Sequence, residues 1–218
     1  MDLPFTEAEF FEVFAAYNQA VWPMQFGLTA AAISMVLLVV LAPVRGGRLV
    51  SFGLAALWMW MALGYHLAFF WSINPAAPVF AVISLGAAGA FLWQGGLRQS
   101  LRFEPGMNAT KGLGLVVTIF ALVGYPVVCE LLGQHYPAAP SFGLPCPTTI
   151  FTFGVLLMAA RPVPGWVLAG PIAWALIGSG AAFLLGAPQD LVLLLMAALG
   201  GYMLWRDRSA FTRTVPRA

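Results

Sequence analysis

Apolar residues along this chain come in long, nearly unbroken runs. Seven of them, at 23–43, 49–71, 76–97, 111–132, 145–160, 165–186 and 189–205, approach the roughly 20 residues that a helix needs to cross a ~30 Å hydrocarbon core. None alternates with period two as the strands of a membrane barrel do. The runs therefore predict helices, because in lipid the backbone amides must find their partners within the segment. The expected fold is all-α and polytopic, with seven transmembrane helices.

Two stretches break the pattern. The fifth run is short: 147–160 holds 14 residues, and at ~1.5 Å per residue a helix of that length covers about 21 Å. The segment 141–146 is then expected to enter the same layer without helical structure, which is tolerated only where backbone is buried in protein or lines a cavity. Ahead of the first run, Phe10, Phe14, Tyr17 and Val21 recur at helical spacing opposite Glu9, Glu12 and Gln19. Thr6 and Glu9 have the spacing of a capping box, and Phe5 is placed to staple onto Phe10. An amphipathic helix on the outer membrane surface is expected, as an interfacial anchor in the first instance or as a lid over an outward-facing site. The chain divides into this helix at 1–22, the membrane domain at 23–205 and a basic tail at 206–218.

Composition agrees with a membrane protein: 61% of the 218 residues are hydrophobic and 8% are charged, against about 25% charged in soluble domains. The net charge of +2 matters less than where the charges fall. Arg45, Arg48, Arg98, Arg102, Lys111, Arg161, Arg206, Arg208, Arg213 and Arg217 fall on one side of the seven runs, the side that the positive-inside rule makes cytoplasmic. The N-terminus is then outside and the C-terminus inside. Asp2, Glu7, Glu9, Glu12, Glu130 and Asp190 lie outside, with Glu104 and Asp207 inside. The first residues lack the basic start and small-residue cleavage site of a secretory signal.

Candidate chemistry concentrates at 129–153, which holds both cysteines, His135 and a threonine cluster. An interrupted span whose half-helix faces a ligand is the sequence pointer to a binding site in transporters. His66 lies about one and a half turns below the outer interface, a depth at which an ionisable side chain is by default a functional candidate; its plainer role is a neutral hydrogen bond between helices. The expected ligand site comprises Tyr65, His66, Asn74, Tyr125, Glu130, His135, Thr148, Thr149 and Thr152. Asp190 is given a mundane role, complementing the helix dipole at the start of the last span.

Cys129 and Cys146 are open to three readings: a disulfide on an oxidising side, two free thiols with one buried, or ligation of a metal or haem. In the last, His66, His135 and Cys146 would hold copper or zinc, and Cys146-Pro147 is a haem-type pair; the sequence itself requires no cofactor. Several chemistries drop out. The single lysine, Lys111, lies at the cytoplasmic end of the fourth span, which excludes a retinal Schiff base in the last. Neither a glycine-rich phosphate loop nor a paired-histidine zinc motif is present. No enzymatic activity is indicated.

The chain also carries internal self-similarity. Phe26-Gly27-Leu28 matches Phe142-Gly143-Leu144, and Trp60, Gly64, Ala68 and Phe69 match Trp174, Gly178, Ala182 and Phe183. Pro75 matches Pro188 with a one-residue slip, and Gly89, Leu92 and Trp93 match Gly201, Leu204 and Trp205. Spans one to three would then recur as five to seven, in parallel, around an unpaired fourth. That three-plus-one-plus-three plan resembles the SWEET and PQ-loop transporters, which are built from parallel triple-helix repeats. The chain departs from their Pro-Gln pair: Met24 separates Pro23 from Gln25, and Thr148 follows Pro147.

In sequence, Tyr17-Asn18-Gln19-Ala20-Val21-Trp22-Pro23, Tyr65-His66, Ile73-Asn74-Pro75-Ala76-Ala77 and Tyr136-Pro137-Ala138-Ala139-Pro140, leading to Pro145-Cys146-Pro147-Thr148-Thr149, resemble an uncharacterised bacterial multi-pass membrane family of unknown function, loosely labelled as permeases. The resemblance implies a bacterial inner-membrane location. Two functions stand. The repeat and the broken fifth span favour a small permease-like transporter with an outward-facing polar solute site. The lack of ionisable groups in the inner half of the bundle favours a non-transporting subunit of a larger complex, carrying a metal or redox centre at the same face. Expected partners are the lipid bilayer and either a second copy or a larger membrane complex; nothing points to nucleic acid.

Overall fold

The computed structural model describes residues 4–212, with side chains to residue 207. Asp2, Arg213 and Arg217 of the predicted charge pattern lie outside the described residues. The helices, in order, are α1 (Glu7–Ala20), α2 (Met24–Leu41), α3 (Pro43–Trp60), α4 (Ala77–Phe91), α5 (Ala109–Ile119), α6 (Tyr125–Leu131), α7 (Pro145–Met158), α8 (Gly165–Leu184) and α9 (Val192–Thr212). π-Helical turns extend α3 (Met61–Leu67) and α4 (Leu92–Leu97), and a third (Phe120–Gly124) joins α5 to α6. Six rods are long and apolar enough to cross a membrane: Met24–Leu41, Pro43–Ser72, Ala77–Leu97, Ala109–Leu131, Gly165–Leu184 and Pro188–Asp207. The fifth apolar run is the shorter α7.

Local chemistry explains where the structure departs from the expected boundaries. Only Ala42 separates α2 from α3, because Pro43 occupies the first helical turn, where its missing N–H costs nothing. Arg45-Gly46-Gly47-Arg48 is therefore helix and not a turn. Its glycines allow close packing: a Cβ on Gly46 would crowd Leu38 of α2, and one on Gly47 would lie 2.8 Å from the Leu101 carbonyl oxygen. Pro126 does not break the fourth rod either. The π-turn ahead of it shifts the hydrogen-bond ladder, and α6 continues with Pro126 in its first turn.

The short helix is resolved by burial. From Pro147 to Met158 every residue of α7 is buried, because α5 lies along it and α8, α9 and the Phe120–Gly124 turn close around it. Non-helical chain completes both ends. Phe142 and Leu144 are buried at one, as the length argument required, although Cys146 already belongs to the first helical turn. At the other end Ala159 and Val163 are buried, and the Ala160 N–H donates to the Arg102 carbonyl (2.7 Å). α2, which would correspond to α7 in a repeat, is largely exposed, so the two three-helix units are packed differently.

The two ends of the bundle differ chemically. At one, Lys111 Nζ donates to the Glu104 carbonyl (2.7 Å), Arg161 donates to Thr110 Oγ1 (3.2 Å), and Asp207, paired with Arg206 (2.8 Å), accepts from the Val163 N–H (3.2 Å). Arg45, Arg48 and Arg102 line a groove at this basic end.

At the opposite end α1 roofs the bundle. Its capping box forms as the sequence predicts, with the Thr6 N–H donating to Glu9 Oε2 (2.7 Å) and the Glu9 N–H to Thr6 Oγ1 (3.3 Å); these bonds hold the Glu9 carboxyl below its usual 4.5. The apolar face packs on protein: Phe10 meets Phe70, Phe14 meets Tyr65, and Tyr17 meets Tyr65 and Phe69. Trp60 Nε1 donates to the Tyr17 hydroxyl (2.7 Å), and burial pushes that phenol up to about 12.

Candidate functional site

Beneath α1 the bundle is not filled. A cavity of about 310 Å³ lies between α1, the end of the α3 rod, the start of α4, and α8, at the lower end of the ~300–1,000 Å³ range typical of small-molecule sites. Phe10 and Phe14 roof it; Tyr65, Phe70 and Phe80 form one wall, and Trp174, Ile177 and Ala181 another. The rings pack in series, Tyr65 on Phe70 (5.5 Å between centroids), Phe70 on Phe80 (6.2 Å) and Phe80 on Trp174 (5.5 Å). Aromatic side chains bring large apolar area at fixed geometry, so this lining gives the cavity its shape as well as its hydrophobicity.

One corner is polar. The 3-10 turn Pro188–Leu191 precedes α9 and turns Asp190 inward, leaving it 4% exposed. Tyr125 donates its hydroxyl to Asp190 Oδ1 at 2.5 Å, and the Cys146 thiol lies within hydrogen-bonding reach of the same carboxyl. Asp190 and Cys146 both line the cavity, which no Lys or Arg borders. Asp190 does stand in the first turn of the last rod, where its dipole role was expected, and it also has a place in the site. The sequence signal was present, since an ionisable residue within a span is a functional candidate, but hydropathy placed it at the span's edge.

The structure sorts the predicted residues into three groups. Tyr65 and Asn74 line the cavity, although Asn74 Oδ1 accepts from the Ala76 N–H (2.9 Å) and so also shapes the turn into α4. His66 stands just behind the wall. It shares the π-helical turn of Tyr65, a feature frequent at functional sites. Its ring is 4.8 Å from that of Trp174, and it is fully buried with neither nitrogen hydrogen-bonded. Tyr125 reaches the site through Asp190.

The threonines are buried in α7 and do not line the cavity. Thr152 ties helices together, accepting from Trp58 Nε1 (3.0 Å) and donating to the Thr148 carbonyl (2.8 Å). The hydroxyls of Thr148 and Thr149 have no partner. Glu130 and His135 pair at 2.7 Å with side chains 65% and 64% exposed, where such a pair contributes about 0–1 kcal/mol. His135 borders a separate groove with Glu7 and Gln134.

The structure bears on two alternatives. His66 is enclosed by rings while His135 is exposed, and among the described residues no three His, Cys, Asp or Glu side chains are grouped to hold a metal. The copper or zinc trio of His66, His135 and Cys146 does not assemble. Cys129 and Cys146 are free thiols, the first buried and the second at the cavity. Iodoacetamide added to denatured, unreduced protein should therefore label both cysteines by mass spectrometry; labels that appear only after reduction would restore the disulfide.

Sequence reasoning passed over Asn18, which fixes the roof. Its Nδ2 donates to the carbonyls of Pro137 (2.7 Å) and Ala139 (2.8 Å), and its Oδ1 accepts from Ser141 Oγ (2.5 Å). Gly143 follows at φ +103, a conformation glycine adopts readily, and leads the chain beneath Tyr17 and Trp60 into α7. The roof and the start of the central helix are thereby one unit.

No curated protein and no solved structure matches this chain. Residues 7–214, all but the two ends, match a family of unknown function (DUF6064), and the chain belongs to that family.

Proposed function

We propose that this protein is a permease-like membrane protein that takes up an amphipathic, mostly apolar small molecule in the chamber beneath α1. Its location in this reading is the bacterial inner membrane, with α1 outside and the basic end in the cytoplasm, as the positive-inside rule requires. The observation that carries the proposal is the aromatic cavity beneath α1 with its acidic corner at Asp190. Such a lining favours a largely hydrophobic guest with one hydrogen-bonding end over the polar solute to which the sequence alone pointed. Leu176 and Leu184 line the cavity and are also exposed on α8, so its mouth opens on an apolar flank, a route by which a guest enters from lipid.

The core supports a second reading. Ile150, Phe151, Phe153 and Leu156 are fully buried in α7, so the centre of the bundle is packed in this conformation. A ligand-holding subunit that does not transport would need no passage. Flux of a chamber ligand in proteoliposomes separates the two.

Binding itself is tested with bromododecanol, whose bromine quenches nearby indoles. It should quench a tryptophan signal that Trp174→Phe removes, and Ala181→Phe, which fills the chamber, should abolish that quenching while the helical circular dichroism stays intact. Quenching unchanged in Ala181→Phe would place the guest elsewhere and sink the proposal.

A further inference from the structure

Asp190 is an acid without a base. Its neighbours at the chamber corner, the Tyr125 hydroxyl and the Cys146 thiol, are neutral donors; they solvate a carboxylate but do not cancel its charge. The ion pairs described in the structure lie elsewhere, Arg206 with Asp207 at the basic end and Glu130 with His135 on the surface. An ionised carboxyl buried in apolar surroundings is strongly disfavoured unless a positive charge accompanies it. Among the described residues none is supplied at this corner, and Asp190 borders the chamber.

The wall beside it is suited to the same task. Tyr65, Phe70, Phe80 and Trp174 present a continuous series of rings around the cavity. Ring faces attract cations through their quadrupole, and more so where water is excluded. A carboxyl with no cation of its own and a curved aromatic wall are independent observations that point to one chemistry. An anionic guest would meet like charge, and a neutral alcohol would gain only a hydrogen bond from the acid, whereas a cation gains a full counter-ion. His66 adds an imidazole nitrogen free of partners behind the Trp174 ring.

We propose that the molecule held in the chamber is a lipophilic amine in its ammonium form, its charged head at Asp190 and its chain along the aromatic wall towards the mouth on α8. This rests on the binding role proposed above and specifies the ligand class. The head would complete the Asp190–Tyr125 pair as its counter-ion, and the apolar chain would replace the lipid environment it left.

The test uses the full protein in phosphatidylcholine nanodiscs and two probes of nearly equal size, dodecylamine and dodecanol, competing with bromododecanol for quenching of Trp174. Dodecylamine should displace the quencher at roughly tenfold lower membrane concentration than dodecanol, a difference of about 1.4 kcal/mol. Asp190→Asn should bring the two probes within about twofold while bromododecanol still quenches, since the apolar wall that holds it is unchanged. Equal potency of the two probes in the wild type, or an amine preference that survives Asp190→Asn, overturns the inference and leaves the binding role standing. If Asp190→Asn does not fold, Phe80→Leu removes one ring and keeps the acid. The amine preference should then fall about threefold, and an unchanged preference removes the aromatic wall from the proposal. Absence of any Trp174 quenching in the wild type is the separate outcome in which the binding role itself fails.

Discussion

Leucine in place of Gly154 is expected to abolish the folded protein. A Cβ at that position would lie 2.6 Å from Thr118 Cγ2 and 2.8 Å from both the Gly114 carbonyl oxygen and the Thr118 nitrogen. The contact is reciprocal, since a Cβ on Gly114 would lie 2.6 Å from the Gly154 carbonyl oxygen. Apart from the Thr118 methyl, these are backbone atoms of α5 and α7 in direct contact, which cannot swing aside as a side-chain tip does. Overpacking a core costs about 1–3 kcal/mol where side chains absorb it, and more where backbones must separate. α7 has no lipid-facing side to rotate into the gap, because its residues are buried all round except at Cys146.

Small residues at a crossing are the usual means by which membrane helices gain close packing, and this crossing holds the central helix in place. Against total stabilities of about 5–15 kcal/mol, a loss of about 3 kcal/mol or more should give an aggregated or helix-poor product. Size-exclusion profile and thermal unfolding followed by circular dichroism in detergent provide the measurement. A monodisperse Gly154→Leu protein melting within a few degrees of wild type would show that the two helices do not cross as described.

Asn18→Ala should unlatch the roof without dissolving the bundle. The substitution leaves the carbonyls of Pro137 and Ala139 and the hydroxyl of Ser141 without the partner each now has, at a site where Asn18 itself is fully buried. An unsatisfied buried polar group costs about 1–3 kcal/mol, less where water enters to replace the lost bond. The loop groups are only half-buried and water can replace part of their lost bonding, so the cost falls on the hold between α1 and the loop and is expressed mainly as opening of the lid. The two cysteines report on it. Cys146 lines the chamber under α1, whereas Cys129 is buried outside it. Maleimide labelling of Cys146 should accelerate about tenfold, equivalent to about 1.4 kcal/mol in the opening equilibrium, with Cys129 unchanged as the internal control. Equal Cys146 rates in wild type and Asn18→Ala would mean that something other than this clamp holds α1 down.

Both predictions turn on relations between helices, and this marks how much of the protein its sequence reveals. The spans were legible because membrane insertion is a local property: about 20 apolar residues satisfy the bilayer whatever their neighbours. The runs expected at 76–97 and 111–132 are the rods Ala77–Leu97 and Ala109–Leu131. The capping box at Thr6 and Glu9 was legible for the same reason, its partners being three residues apart. Length also pointed to buried, non-helical chain at 141–146 beside a short helix, and the structure has it up to Leu144, with Pro145 and Cys146 already in the helix.

What lies between the helices was not legible. In a helix apolar on every side, the residues facing lipid and those facing protein are chemically alike, so periodicity assigns no face. Nothing local distinguishes the buried α7 from the exposed α2. The partners of the Asn18 side chain lie 119 to 123 residues away, and Tyr125 lies 65 residues from Asp190. Grouping the polar residues of one end by depth therefore joined Glu130 and His135, which stay on the surface, to Tyr65 and Asn74, which line the chamber, and set Asp190 aside. The sequence by itself determined an all-α protein of apolar spans with a capped N-terminal helix. The tertiary structure alone decided that this helix roofs an aromatic chamber and that Asp190 faces it, because packing among uniformly apolar helices is set by shape and a few long-range hydrogen bonds, neither of which is written in local hydropathy.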